Sequence, residues 1–123
     1  MKEEVVWIDA WQMQCCGNAF EIGSIIEWDV VQWTFEYPPV VGIGKIDYYY
    51  DHHNDGEVLH MKGIVTDIFC VYEQYALDET TNVKKAVSGK LTKCIEQATG
   101  WHKDDNEYKF SAYLASVDAH EII

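Results

Sequence analysis

The chain has 123 residues, a length typical of one domain spanning residues 1–123, and its 48% hydrophobic content excludes a disordered polymer. The chain contains 21 acidic residues, nine lysines and no arginine, which gives a net charge of −12. This balance excludes a nucleic-acid partner and disfavours an anionic membrane surface, because both require clustered cations.

The first half of the chain is predicted to form β-strands. Alternating apolar residues predict strands over 5–11 and 25–35, and a tyrosine-rich strand follows over 45–53. Pro38-Pro39 and the glycines at 42 and 44 predict a loop between the second and third strands, and Asn54-Asp55-Gly56 predicts a turn. Alternation places Trp28 and Trp33 on opposite faces of their strand.

The second half continues this pattern with one ambiguous segment. Strands are predicted over 58–75 and 107–118, with Gly63 at a bulge or bend. Residues 83–98 have apolar positions at helical spacing and predict either a short helix, capped by Gly100, or a strand with a bulge. The fold class is therefore mainly β. We expect a small antiparallel barrel, SH3-like or OB-like, with an α+β curled sheet carrying one helix as the alternative.

The four cysteines fit a reducing compartment. Met1 to Glu4 lack the basic and apolar regions of a signal peptide, and no apolar run approaches the roughly 18 residues that span a bilayer. A cytoplasmic location is the resulting expectation, in which thiols stay reduced. Cys70 and Cys94 follow apolar patterns and are interpreted as small buried hydrophobic residues.

One segment resembles a known family. Residues 7–17, WIDAWQMQCCG, resemble the opening W-x-D-D-W-Q-M-x-C-C-G of a family of small bacterial proteins of unknown function. The continuation to Trp28 fits, as do the segments 51–53, 63–68, 100–101 and 110–115, the last of which reads FSAYLA. Ala10 departs from the second acid of the family pattern. The resemblance covers nearly the whole chain and implies a bacterial source, but it implies no activity and no catalytic residues.

A zinc site is the sharpest chemical hypothesis. Two thiolates and two imidazoles form a common zinc ligand set, and the candidates are Cys15, Cys16, His52 and His53. Adjacent residues on a strand point to opposite faces, so both members of a pair converge only in a tight turn, and a vicinal disulfide is a further alternative. A cysteine nucleophile is disfavoured because this region is strongly acidic.

The aromatic residues of the first half predict a protein-binding surface. Residues 1–61 hold 11 acids and two lysines, a net charge of −9, together with four of the five tryptophans. Tyrosine and tryptophan are common anchors in protein interfaces. The candidate binding residues are Trp7, Asp9, Trp11, Tyr48, Tyr50 and Asp51.

Two functions follow from these features. The first is a non-enzymatic module that binds a protein, with a basic partner favoured by electrostatic complementarity and an inhibitor or immunity-type role as one form. The alternative is a zinc-binding protein or small metalloenzyme that uses the Cys15/Cys16 and His52/His53 region. No catalytic residue and no oligomeric state is predicted, and zinc is the one cofactor considered.

Overall fold

Six strands and one short helix are present in the computed structural model, which describes residues 3–15, 17–34, 45–51 and 58–123. The fold is mainly β, as predicted, and the α+β alternative is not observed. The elements are β1 (Glu3–Asp9), α1 (Ala10–Cys15), β2 (Ile25–Gln32), β3 (Tyr48–Tyr50), β4 (Leu59–Asp78), β5 (Val83–Lys93) and β6 (Lys109–Ile122).

The strands form one sheet in the order β2-β3-β1-β6-β4-β5. An additional antiparallel pairing joins β2 to the first part of β4, so the hydrogen-bonded pairings return to β2 in a closed circuit. The β1–β3 pair is parallel, whereas the other pairs are antiparallel. Assignment to an SH3-like or OB-like barrel stays a prediction.

The long strand β4 pairs with two different strands along one of its edges. Its first residues pair with β2 and its last residues with β5, while β6 pairs along its other edge. Such a strand must bend between its partners, and the register against β6 shifts between Lys62 and Gly63. The irregularity predicted at Gly63 is therefore confirmed.

One secondary-structure prediction requires correction. Residues 10–15 form a helix where the sequence predicted that the first strand continues to residue 11. The helix buries Ala10, Gln12 and Met13, and the Gln12 side-chain amide donates to the Tyr50 carbonyl at 3.0 Å, so tertiary contacts favour the helix over the alternating pattern.

The ambiguous segment 83–98 is not helical. It forms β5 as far as Lys93, with an extra residue opposite the Gln74–Tyr75 step of β4, as the strand-with-bulge interpretation predicted. Pairing along β4 provides hydrogen bonds that outweigh the helical spacing of its apolar residues. Gly100 consequently caps no helix and lies in a loop with φ of 89°.

Two hydrophobic clusters occupy the opposite faces of the sheet. The larger cluster includes Val6, Ile8, Trp28, Tyr50 and Tyr113. The smaller cluster, on the other face, includes the buried residues Trp7 and Leu114, and the partly buried Trp33 packs against it. The opposite placement of Trp28 and Trp33 is thus confirmed. In the described part of the chain, no helix has the length and apolarity needed to cross a membrane.

Candidate metal centre

Strand pairing brings two distant cysteines together on the face of the larger cluster. Cys70 lies in β4 opposite Tyr113 of β6, and Cys94 follows the last residue of β5. The Cys94 amide donates to the Ile68 carbonyl at 2.9 Å, which continues the β4–β5 pairing by one residue. Since residues two apart on a strand share a face, this places Cys94 on the side of Ile68 and Cys70. Both cysteines are 3% exposed and both carry free thiols.

The loop after Cys94 is anchored at two points. Phe20 and Ala98 exchange backbone hydrogen bonds of 3.2 and 2.7 Å, and the Gly100 amide donates to the buried Tyr113 hydroxyl at 2.8 Å. Glycine is needed at position 100, because φ is 89° and a Cβ atom would lie 2.7 Å from the Cβ of Met13. These contacts turn the next residues of the loop towards the sheet.

His102 lies in this loop, and its side chain packs against β6. Its ring packs against Phe110 and Tyr113, with centroids 5.3 and 5.4 Å away, and its side chain is 10% exposed. The Nδ1 atom lies 3.2 Å from Oε1 of Glu96. The Nε2 atom is buried and has no hydrogen-bond partner among the residues that the structure describes. A buried polar nitrogen without a partner is costly, which makes this atom a candidate ligand atom.

Cys70, Cys94 and His102 form one group. Their ligand atoms all lie within 4.8 Å of one another. In tetrahedral zinc coordination, two sulfurs bound at about 2.3 Å are about 3.8 Å apart, so the three side chains need only small movements to close on an ion. The contact of Glu96 with Nδ1 matches the carboxylate–histidine arrangement that orients metal-bound imidazoles. Thiolate and imidazole donors select zinc among the common divalent ions of cells.

The Cys70 thiol is protonated at neutral pH in the metal-free protein. Burial, and then the neighbouring Cys94 thiol, raises the pKa of Cys70 to about 12. The Cys94 thiol donates to the Glu96 carbonyl at 3.2 Å. A metal ion that binds Cys70 displaces this proton, because the thiolate is the ligand form.

The Tyr113 hydroxyl supports this loop, and its removal tests that role. We expect Tyr113→Phe to lower the free energy of unfolding by about 1–3 kcal/mol, since the buried Gly100 amide loses its acceptor. Urea denaturation measures the change. The control is Tyr75→Phe, whose hydroxyl contacts Ser111 and Glu73 near the surface and whose loss should cost under about 0.5 kcal/mol. Equal losses in the two variants would contradict the assignment.

The metal ligands predicted from sequence are four other residues. Cys15 ends α1, is exposed and is disulfide-bonded. Cys16, His52 and His53 lie outside the described residues. A zinc site formed by these four residues stays a prediction.

The predicted protein-binding residues do not share one environment. Trp7 and Tyr50 are buried, in the smaller and the larger cluster respectively, whereas Trp11 is 52% exposed on α1. Asp9 accepts hydrogen bonds from the Trp7 indole at 2.9 Å and from the Tyr49 hydroxyl. The remaining two candidates, Tyr48 and Asp51, are half-buried. A basic protein partner for this region stays a prediction.

The sequence pattern does not reveal the Cys70–Cys94–His102 group. Twenty-three residues separate the two cysteines and seven separate Cys94 from His102, a spacing that matches no common zinc motif. The prediction that both cysteines are buried is confirmed, but burial by itself indicates packing. The one available signal was two cysteines with a nearby histidine in a protein expected to keep its thiols reduced.

The fold and this group define a mainly β protein with a candidate metal centre. The model of a family of unknown function (DUF6578) matches residues 2–119, and the chain belongs to that family. No curated protein and no solved structure matched the chain.

Proposed function

We propose that this protein binds a zinc ion through the sulfurs of Cys70 and Cys94 and Nε2 of His102. The observation that carries the proposal is the convergence within 4.8 Å of one ligand atom from each of the three residues. The Nε2 atom of His102 is in addition buried and has no hydrogen-bond partner in the described part of the chain. Two thiolates balance the charge of the divalent ion, so burial carries no net charge penalty.

The surroundings support the same proposal. Glu96 contacts Nδ1 of the His102 ring, which leaves Nε2 available to an ion, and the rings of Phe110 and Tyr113 pack against the imidazole. A ligand held in this way loses little rotamer entropy on binding, which favours affinity. The backbone at Cys94 is fixed by its hydrogen bond to Ile68.

Metal content of the full chain tests the proposal. Protein stripped with a chelator under reducing conditions and returned to zinc should bind one ion per chain, measured by mass spectrometry after gel filtration. Cys70→Ala and His102→Gln should reduce this content by at least about tenfold, because each removes one of three donors. Circular dichroism of each variant verifies that the fold is kept.

Two variants serve as matched controls. His120→Gln removes an exposed histidine of β6 and should leave the zinc content unchanged. Cys15→Ser tests the region predicted from sequence and should also retain the ion. Zinc that persists in Cys70→Ala and His102→Gln but disappears in Cys15→Ser would refute the proposal.

A further inference from the structure

Strand β5 has a partner strand on one edge and none on the other in the described part of the chain. Its partner is β4, whereas the opposite end of the strand order is closed by the pairing of β2 with β4. An unpaired edge presents a row of backbone N–H and C=O groups that can pair with another strand. With 11 residues, β5 is long enough to receive an extended segment along this open edge.

The register of β5 shows which of its backbone groups face the open edge. The Cys94 amide donates to the Ile68 carbonyl, and the same register continues through Thr92. In an antiparallel pair, residues that bond to the partner strand alternate with residues whose backbone groups point away from it. The N–H and C=O groups of Thr92 therefore face β4, while those of Leu91 and Lys93 face the open edge.

The open edge is the basic part of an acidic chain. Residues 83–93 contain four lysines and no acid, whereas the rest of the chain contains 21 acids and five lysines. Lys84 is exposed, and no acid among the described residues forms an ion pair with it. The Lys93 side chain is 59% exposed, with Asp67 at 3.8 Å. Since charges act over about 8 Å at physiological salt, these lysines favour a negatively charged partner.

Exposed apolar side chains accompany the lysines. Val83 and Val87 are 55% and 56% exposed, and Leu77 of β4, opposite Lys84, is 55% exposed. A second copy of β5 is a poor partner, because each strand would bring four lysines and like charges on paired strands are destabilising. The edge therefore suits a strand that alternates acidic and apolar residues.

We propose that the open edge of β5 binds an extended acidic segment of a partner protein by strand addition. The backbone of the segment pairs with Leu91 and Lys93, its carboxylates lie beside the lysines of β5, and its apolar residues contact Val83 and Val87. In such pairings, backbone hydrogen bonds supply affinity and alternate side chains supply specificity. The proposal is independent of the candidate metal centre, whose three ligands lie outside β5.

A fluorescent peptide of alternating glutamate and valine, as long as β5, is the probe. We expect saturable binding to the full chain in fluorescence anisotropy. Lys84→Gln and Lys93→Gln should each weaken binding by about twofold to fivefold, because each removes one exposed charge pair. Lys62→Gln removes an exposed lysine in the first part of β4, away from β5, and should leave binding unchanged.

Amide hydrogen exchange, followed by NMR, distinguishes strand addition from charge attraction. In the free chain, the amides of Leu91 and Lys93 should exchange rapidly and the amide of Thr92 slowly, because only the last bonds to β4. Saturating peptide should slow exchange at Leu91 and Lys93 by at least about tenfold. A peptide with lysine in place of glutamate should bind at least about tenfold more weakly.

Three results overturn the proposal: no binding of the acidic peptide, binding that leaves the amides of Leu91 and Lys93 unprotected, and equal binding of the lysine peptide. Protection of these amides without peptide, increasing with protein concentration, would assign the edge to a second copy of the chain and would also overturn it.

Discussion

Zinc should stabilise the folded protein by about 4 kcal/mol when its free concentration is about a thousand times the dissociation constant. The ligands come from β4, from the end of β5 and from the loop beyond it, so an unfolded chain does not hold them together. An ion that binds the native state alone stabilises it by an amount set by the ratio of the free ion concentration to the dissociation constant. Urea denaturation with zinc and with a chelator measures the difference.

A variant pair decides whether this stabilisation comes from the proposed site. Cys94→Ala keeps a small apolar side chain at a buried position and should lose the zinc-dependent increment, while its stability in chelator falls by about 1 kcal/mol. His120→Gln should retain the full increment. If Cys94→Ala were stabilised by zinc as strongly as the unmodified chain, the ion would bind elsewhere and the proposal would fail.

Gly63→Ala should be among the most damaging single substitutions in the sheet. A Cβ atom at Gly63 would lie 2.7 Å from Cγ1 of Val117 and closer still to the Asp118 carbonyl oxygen. That oxygen belongs to the backbone of β6, which is held by its pairing with β4 and β1 and cannot move aside cheaply. We expect the free energy of unfolding to fall by about 3 kcal/mol in urea denaturation.

Gly23→Ala is the matched control for this substitution. Gly23 has φ of 93° but nothing lies within 4 Å of a Cβ added there, so its cost is conformational strain of about 1 kcal/mol. Comparing the two variants separates the energetic cost of a steric collision at Gly63 from the cost of backbone strain at Gly23. A loss at Gly63 no larger than the loss at Gly23 would show that the strands move apart freely at the bulge.

The strand pattern was readable from the sequence because it depends on local alternation. The segments around β2, β4 and β6 were predicted within a few residues at most ends, and Gly63 was recognised as an irregular position. The first strand was extended too far, because the sequence does not show that Gln12 reaches the Tyr50 carbonyl and Met13 reaches the core. The helical spacing of residues 83–98 was overridden by pairing with β4.

The candidate metal centre depends on contacts that alternation does not encode. The sequence predicts a zinc site at Cys15, Cys16, His52 and His53, because the two cysteines and the two histidines are each adjacent along the chain. The group in the structure instead joins residues from two strand regions and a loop, which meet through the Cys94–Ile68 hydrogen bond. Long-range register of this kind is a property of the whole sheet.

The sequence by itself determined the composition, the acidic charge of −12 and the mainly β class, because each follows from residue types and their local order. It also determined that Cys70 and Cys94 are buried. The tertiary structure alone decided that these thiols lie beside the ring of His102, since the loop is turned inward by Gly100 and by the Tyr113 hydroxyl. The candidate metal centre arises from that convergence of distant residues.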